Sequence, residues 1–259
     1  MKSHITNSRF SDLTEKAKMA VNKLILLDFD GTLVDFTPDA ANVVPSKELL
    51  TLLQRIAEAS DNQLIIITGR THEDIDRLVG HLPIGIVAEH GAMIRENNQW
   101  KKLLDGNSYW KQEVFPIVSR FSIISPNSFI EEKNFSLAWH YRNVETATGK
   151  ANSRALIKEL QKVASRYDLK ILDGKKVVEI VSKNISKGLA AQYLIKNKKY
   201  DFILSIGDDI TDEDMFEVLI KNKNAFTVKI GPGPTFAKYK LNTIQQVILL
   251  LEQLKTVIG

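Results

Sequence analysis

The sequence contains no cysteine among its 259 residues. Disulfide frameworks, thiolate nucleophiles and zinc sites with thiolate ligands are therefore excluded, so any metal must be bound by oxygen or by histidine nitrogen. No segment approaches the run of about 18 apolar residues that a membrane span needs. The polar beginning, Met1 to Arg9, is not followed by the apolar stretch of a signal peptide. We therefore expect a soluble, cytoplasmic protein without a membrane partner.

The sequence also lacks a strong excess of either charge. Lys and Arg total 35 against 31 for Asp and Glu, which gives a formal net charge of +4, and the two signs are mixed along most of the chain. Nucleic-acid-binding proteins usually concentrate positive charge on one face, so we expect no nucleic-acid partner. The chain is long enough for one large α/β domain, or for a main domain with a smaller inserted one.

Short apolar runs predict buried parallel strands in the first and last parts of the chain. These runs are Leu24 to Leu27, Leu64 to Ile67, Gly85 to Ala88 and Phe202 to Ile206. Segments with helical spacing follow most of them, and the clearest extends from Ser46 to about Ala59. Strands that alternate with helices predict an α/β fold with a parallel sheet covered on both faces.

The middle of the chain has a different pattern, in which each helical segment precedes a pair of strands. The predicted helices are Tyr109 to Phe121 and Gly149 to Tyr167, and the predicted strands are Phe129 to Lys133, Phe135 to Arg142, Lys170 to Leu172 and Lys176 to Val181. We interpret residues 107–183 as an inserted α+β cap domain, and residues 1–106 and 184–259 as the two parts of the core.

Polar residues follow three of the predicted core strands: Asp28, Asp30, Thr68, Asp208 and Asp209. Ligands of an open parallel sheet bind outside the carboxyl ends of its strands, so these residues are predicted to share one crevice. Carboxylates that lie close together repel one another unless a cation neutralises them. Oxygen ligands in a chain without cysteine favour Mg²⁺, which commonly binds together with a substrate phosphate.

This arrangement suits the hydrolysis of a phosphate ester. Asp28 is placed to attack phosphorus and form an aspartyl-phosphate, and Asp30 is placed to act as general acid and then as general base. Thr68 offers a hydroxyl to the phosphoryl oxygens. Lys187 follows Ser186, a predicted N-cap, so its ammonium is expected at a helix N-terminus that favours anions.

Each of these features also has a purely structural interpretation. Asp-Gly after a strand is often only a turn, and Ser-Lys before a helix is common. Thr211 is a good N-cap, and acidic residues in a first helical turn stabilise a helix without any other function. Asp212, four residues after Asp208, has the spacing to reach back to the metal site.

The combination of motifs resembles the haloacid dehalogenase superfamily of phosphohydrolases. The four motifs are represented by Asp28-Phe29-Asp30-Gly31-Thr32, Thr68, Lys187, and Gly207-Asp208-Asp209 with Asp212. The resemblance implies a Rossmann-like core and a C2-type cap between the second and third motifs. It also implies a metal site formed by the Asp28 side chain, the Asp30 carbonyl and the Asp208 side chain, with Asp209 and Asp212 directly behind these ligands.

Within the superfamily, the chain is most similar to trehalose-6-phosphate phosphatases. The similarity rests on Ala88 to Gly91, Glu131, Lys133, His140 to Arg142, Gly174 to Ile180 and Gly207 to Phe216. It implies dephosphorylation of trehalose 6-phosphate, a step of trehalose biosynthesis. It also implies that Glu131, Lys133 and Glu179 contact the glucose hydroxyls, with His140 and Arg142 nearby.

The strand pattern agrees with this assignment in part. Glu131 and Lys133 are two residues apart on a predicted strand, so they share a face. Leu137, Trp139 and Tyr141 alternate with His140 and Arg142, and this aromatic face is predicted to be core. Glu179 falls on a mostly apolar face and needs a partner, which a ligand hydroxyl or Lys133 would provide.

Other functions stay open at this point. The same chemistry would serve sucrose 6-phosphate or mannosyl-3-phosphoglycerate. A phosphosugar-binding regulatory module and a receiver-like domain phosphorylated on aspartate are noncatalytic alternatives. The joint presence of Asp28, Asp30, Thr68, Lys187 and Asp208 argues against both of these, because a protein that only binds has no use for Asp30.

Overall fold

The computed structural model describes residues 3–4, 7–36, 42–59, 62–103, 108–196 and 198–258. The chain forms two compact units, one of Met1–Leu103 with Ser186–Gly259 and the other of Leu104–Ile185. The first limit that the sequence predicts for the cap, between residues 106 and 107, lies outside the described residues. The second predicted limit, between residues 183 and 184, lies just before Ile185.

Strands and helices alternate along most of the chain. The strands are β1 (Ser3–His4), β2 (Lys23–Leu27), β3 (Asn62–Ile67), β4 (Gly85–Ala88), β5 (Met93–Glu96), β6 (Gln99–Lys102), β7 (Phe129–Glu132), β8 (Ser136–His140), β9 (Leu169–Gly174), β10 (Val177–Ser182), β11 (Phe202–Gly207), β12 (Ala225–Ile230) and β13 (Tyr239–Leu241). The helices are α1 (Asn7–Met19), α2 (Lys47–Glu58), α3 (His72–Val79), α4 (Lys111–Ile123), α5 (Thr146–Ala164), α6 (Lys187–Lys196), α7 (Ile210–Leu219) and α8 (Ile244–Ile258).

The first unit contains a nine-stranded sheet in the order β1-β13-β12-β11-β2-β3-β4-β5-β6. The first seven strands in this order, from β1 at the edge to β4, are parallel to their neighbours. The strands β5 and β6 add an antiparallel hairpin at the other edge. The predicted α/β fold is confirmed, although the hairpin makes the sheet mixed rather than parallel throughout. β2 lies between β11 and β3, so the carboxyl ends of these three strands are neighbours.

Both faces of the sheet are covered, as the apolar strand runs predict. Every residue of β2 is buried. Ile25 and Leu27 pack into an apolar cluster with α1, α2, α3 and α8, whereas Leu24 and Leu26 pack into a second cluster with α6 and α7. The two clusters form because successive side chains of a strand point to opposite faces. α2 begins where the sequence predicts it, with the Leu49 amide donating to the Ser46 hydroxyl at 3.2 Å.

The second unit contains a four-stranded antiparallel sheet in the order β7-β8-β10-β9. Leu137, Trp139 and Tyr141 of the β8 segment are buried with apolar side chains of α4 and α5, so this face is core, as predicted. α5 begins at Thr146, three positions before the predicted start, because Glu145 caps it by accepting from the amides of Ala147 and Thr148. Among the described residues, no helix has the length and apolarity to cross a bilayer.

Candidate active site

The side chain of Asp28 is fixed at both carboxylate oxygens. Asp28 directly follows β2, and its amide donates to the Ile206 carbonyl of β11 at 3.0 Å. The carboxylate is buried, with Oδ1 2.6 Å from Lys187 Nζ. Oδ2 accepts a hydrogen bond from the Thr32 hydroxyl at 2.9 Å. One orientation of the carboxylate is therefore selected by a cation on one oxygen and a hydroxyl on the other.

Three buried carboxylates converge beside the end of β2. Asp28, Asp208 and Asp212 each place one carboxylate oxygen within 4.8 Å of the others. Burial and the charge of Asp212 raise the pKa of Asp28 well above its ordinary value, and the nearby Lys187 only partly offsets this effect. A buried cluster of oxygen donors with this much negative charge suits a hard divalent cation.

Lys187 lies between two of these carboxylates. It is the first residue of α6, where the Leu189 amide donates to the Ser186 hydroxyl at 3.1 Å, so Ser186 has the predicted capping role. The buried ammonium is 2.6 Å from Asp28 and 2.8 Å from Asp212. Burial alone would lower the pKa of Lys187, but the charges of Asp212 and Asp28 raise it, so the side chain stays protonated. Lys187 is 2% exposed, so its ammonium is not a solvated surface charge.

Asp212 connects the carboxylate cluster to the loop that carries Asp208. Its Oδ1 accepts from Lys187, while its Oδ2 accepts the amides of Asp208 and Asp209, both at 2.9 Å. A Cβ atom on Gly207 would lie 2.2 Å from the Asp212 side chain, so only glycine fits there. The Gly-Asp-Asp sequence followed by Asp212 is thus explained by a close approach of backbone to carboxylate.

The start of α7 differs from the sequence expectation. Asp209 is the N-cap of this helix, and its first residue is Ile210, so Thr211 lies inside the first turn. Lys229 of β12 contributes a contact that the sequence reasoning missed. Its buried ammonium donates to the Asp208 carbonyl at 2.7 Å and lies 3.3 Å from Glu213. An isolated lysine in a strand carries no local sequence signal for such a contact.

Asp30 is held by a second cation, Arg70. The guanidinium donates to both carboxylate oxygens of Asp30, at 2.7 and 2.6 Å, and it also donates to Asp74. Arg70 is buried, whereas the Asp30 side chain is 23% exposed. The sequence reasoning assigned no role to Arg70. Its only signal was its position directly after Thr68-Gly69 at the end of β3.

Thr68 is buried directly after β3, the strand that pairs with β2, which ends just before Asp28. Its hydroxyl oxygen accepts the Arg70 amide at 3.2 Å, so the hydroxyl hydrogen is left to donate elsewhere. His90 donates its amide to the Thr68 carbonyl at 2.9 Å and packs its ring against Gly69. His90 therefore stabilises the turn after β4.

Four of the predicted cap residues converge on the face of the second unit's sheet that lies opposite the apolar face covered by α4 and α5. His140 Nε2 lies 2.8 Å from Glu131, and the Lys133 ammonium lies 4.0 Å from Glu131 and 3.1 Å from Glu179. Burial raises the pKa of Glu131, but the hydrogen bond with His140 and the charge of Lys133 outweigh it, so the pKa is lowered. Glu131 is therefore ionised in the neutral pH range.

Glu179 has the partner that its position requires. Its side chain is only 10% exposed, and Oε1 lies 3.1 Å from the Lys133 ammonium. Ser136, which sequence reasoning missed, donates its hydroxyl to the same oxygen at 2.6 Å. Arg142 lies beyond the end of β8, where its guanidinium donates to the Lys175 carbonyl at 3.1 Å. The structure thus joins Glu131, Lys133, His140 and Glu179 in one network.

Comparisons with known proteins agree on one family. A family model described as Trehalose-phosphatase matches residues 26–245. The bifunctional trehalose-6-phosphate synthase/phosphatase of Thermoproteus tenax is 40% identical over 237 residues, which are 91% of this chain and 32% of that protein. The trehalose-phosphatase of Zygosaccharomyces rouxii is 34% identical over 231 residues, which are 80% of this chain and 26% of that protein. The chain thus spans about a third or less of these relatives.

A solved structure shows the same fold over nearly the whole chain. The C-terminal domain of trehalose-6-phosphate phosphatase from C. albicans superposes with a TM-score of 0.92, at 29% identity, and the match covers 98% of each chain. A crystal form of trehalose-6-phosphate phosphatase from Aspergillus fumigatus superposes with a TM-score of 0.71 at 30% identity, covering 99% of each chain.

Proposed function

Because the chain belongs to the trehalose-phosphatase family, we propose that it hydrolyses trehalose 6-phosphate to trehalose and phosphate. The observation that carries this proposal is the buried contact of Asp28 with Lys187, beside Asp208 and Asp212. A carboxylate fixed next to an ammonium is suited to attack an anionic phosphoryl group, because the cation offsets the repulsion between the two anions.

The proposed reaction proceeds in two displacements at phosphorus. Asp28 forms a bond to phosphorus while the bond between phosphorus and the sugar oxygen breaks, and Asp30 gives a proton to that oxygen. Water then attacks the aspartyl-phosphate, Asp30 takes a proton from this water, and Asp28 is regenerated with release of phosphate. Thr68 and Lys187 donate hydrogen bonds to the phosphoryl oxygens in both steps.

The carboxylate cluster fits Mg²⁺. We assign the Asp28 side chain, the Asp30 carbonyl and the Asp208 side chain as its ligands. Asp212 has both oxygens engaged by Lys187 and by backbone amides, so we assign it and Asp209 to support of the Asp208 loop. When bound, Mg²⁺ supplies positive charge that offsets the negative charge of the carboxylates and the phosphoryl group.

Arg70 positions Asp30 in this proposal. A bidentate guanidinium contact selects one plane and one direction for a carboxylate. Asp30 reaches the leaving oxygen by giving up one of its two contacts with Arg70. Arg70 is therefore a positioning residue, and its effect on the rate is expected to depend on how much the leaving group needs a proton.

Arg70→Ala is expected to lower kcat on a sugar phosphate by about 10²-fold, which is typical for impaired general acid–base catalysis. An aryl phosphate has a leaving group that is stable as an anion, so its turnover should fall much less. Steady-state phosphate release with both substrates measures the difference. Arg77→Ala, which removes a more exposed contact of Asp74, is the control. Equal losses on both substrates in the Arg70 variant would show that Arg70 acts only on the fold.

We assign sugar recognition to the second unit. Glu131, Lys133 and Glu179 present charged hydrogen-bonding groups on one sheet face, with His140 beside them. Hydroxyl groups donate to carboxylates and accept from ammonium groups, so this set complements a carbohydrate. Arg142 belongs to the same assignment on family resemblance alone. The trehalose biosynthetic role and the cytoplasmic location likewise stay predictions.

The first test is phosphate release with Mg²⁺ from trehalose 6-phosphate, sucrose 6-phosphate, glucose 6-phosphate and mannosyl-3-phosphoglycerate. A kcat/KM for trehalose 6-phosphate well above the others supports the proposal. A preference for another sugar phosphate would keep the chemistry of Asp28 and reject the substrate. Binding of these sugar phosphates without turnover of any would favour a noncatalytic regulatory module.

Glu179→Ala is expected to lower kcat/KM for trehalose 6-phosphate by about 10²-fold, since it removes a charged hydrogen-bond partner of the sugar. Turnover of a small aryl phosphate should change little. Asp173→Ala is a matched control, because Asp173 is an exposed acidic residue of the same sheet opposite Val178, on the other face. Equal losses on the two substrates in the Glu179 variant would assign Glu179 to the stability of the second unit.

A further inference from the structure

Phe129 is an exposed aromatic side chain on the same sheet face as the charged network. It lies on the edge strand β7, directly across from His140 of β8, and it is 49% exposed. Side chains directly opposite each other in antiparallel strands share a face. The next residue of β7 on that face is Glu131, which contacts His140. The ring therefore borders the predicted sugar-binding groups, although neither the sequence motifs nor the resemblance assigned it a role.

The ring of Phe129 is held flat against His140. The two ring centroids are 4.6 Å apart and the planes differ by 12°. His140 is itself fixed through Nε2 by Glu131 at 2.8 Å. Stacking on one side leaves the other side of the Phe129 ring as the accessible aromatic surface, and its orientation is set before any ligand arrives. A preorganised ring costs less conformational entropy when it binds a ligand.

The chemistry of the neighbouring groups identifies what this surface binds. A glucopyranose ring carries its hydroxyls around the equator and C–H groups on both faces. Such a ring can stack its C–H face on an aromatic side chain while its hydroxyls reach polar groups at the side. Here the polar groups are the Glu131 carboxylate, next along β7 on the same face, and the Lys133 ammonium, which follows β7 and lies 4.0 Å from Glu131. Lys133 in turn contacts Glu179, which also accepts from the buried Ser136 hydroxyl. An aromatic ring bordered by these donors and acceptors complements that distribution.

From this arrangement we propose that Phe129, backed by His140, is a stacking platform for a glucosyl ring of the substrate and a specificity-determining residue of the enzyme. The inference rests on the proposed function and deepens it. The platform selects rings with a flat C–H face, so a sugar with an axial hydroxyl on that face binds less well. The phosphoryl chemistry of Asp28 does not depend on it.

The test measures steady-state kinetics of the 259-residue chain with Mg²⁺, using trehalose 6-phosphate and a small aryl phosphate. Phe129→Ala should raise KM for trehalose 6-phosphate by about 10-fold, as expected for the loss of one aromatic contact, with little change in kcat. The aryl phosphate should show no change. Phe129→Tyr keeps the ring and should retain the wild-type KM, whereas Phe129→Leu should resemble Phe129→Ala.

Phe115→Ala is the matched control. Phe115 is an exposed phenylalanine of the same unit on α4, whose buried side chains cover the opposite face of the sheet. If the wild-type chain prefers trehalose 6-phosphate and Phe129→Ala has the same KM for it as Phe115→Ala, the platform is wrong and the proposed function stands. A wild-type chain without preference for any glucosyl-containing phosphate would overturn both. Inhibition by trehalose that weakens in the Ala and Leu variants but not in the Tyr variant would support the platform independently of turnover.

Discussion

Asp28→Asn is expected to abolish phosphate release while the chain stays folded. The amide is isosteric with the carboxylate but cannot form the aspartyl-phosphate, so kcat should fall by about 10⁴-fold or more, as for other enzymes that lose a nucleophile. The variant also removes one of three buried negative charges that lie within 4.8 Å of one another. Its unfolding temperature should therefore equal or exceed that of the wild type.

Two measurements check this prediction, phosphate release with Mg²⁺ and thermal unfolding monitored by circular dichroism. Asp12→Asn is a suitable control, because Asp12 is 56% exposed and lies on α1. It should leave both the rate and the unfolding temperature unchanged. A wild-type rate in the Asp28 variant would remove Asp28 from the role of nucleophile. A folded variant without activity would show that the loss is chemical and not structural.

Lys187→Met should have the largest effect on stability. The ammonium is buried between Asp28 and Asp212, at 2.6 and 2.8 Å, and methionine fills a similar volume without charge. Removing one partner of a buried ion pair leaves its carboxylates uncompensated, which costs about 3–5 kcal/mol. Phosphate release should also fall by about 10³-fold, because the phosphoryl group loses a buried cation.

Urea unfolding gives the free-energy change, and a double variant tests its cause. Adding Asp28→Asn to Lys187→Met removes one uncompensated carboxylate, so part of the lost stability should return while activity stays absent. Lys183→Met is the control, since Lys183 is 53% exposed and its pair with Asp168 is a surface contact worth about 0–1 kcal/mol. A Lys187 variant as stable as this control would contradict the electrostatic role of the buried ammonium.

The approach of distant residues in the candidate site was predictable from the sequence. Asp28 and Thr68 follow apolar runs that form β2 and β3, and Asp208 follows the run that forms β11. These strands are neighbours in the sheet, so residues at their carboxyl ends lie together. The expectation that ligands bind outside the carboxyl ends of parallel strands needs only the pattern of apolar runs and the position of each polar residue relative to a run. It succeeds because backbone hydrogen bonding aligns the strand ends.

The partners of the charged side chains were much less predictable. Nothing local to Arg70 indicates that its guanidinium binds Asp30, which precedes it by 40 positions. Lys229 and Asp208 present the same problem across 21 positions. Such pairs form where folding brings opposite charges into a buried space, and their choice depends on side-chain geometry that sequence spacing does not encode. The pair of Lys133 and Glu179 was an exception, because a carboxylate on an apolar strand face demands a partner.

By itself, the sequence determined the α/β class and the family, and it predicted the residue types of the site, because each depends on local patterns of apolar runs and short motifs. Apart from the pair of Lys133 and Glu179, tertiary structure decided which charges meet. It placed Lys187 between Asp28 and Asp212 and made Asp209 rather than Thr211 the cap of α7. It also stacked Phe129 on His140. The physical reason is that ion pairs, caps and ring contacts are settled by distances of a few ångströms, which arise only after the strands and helices have packed.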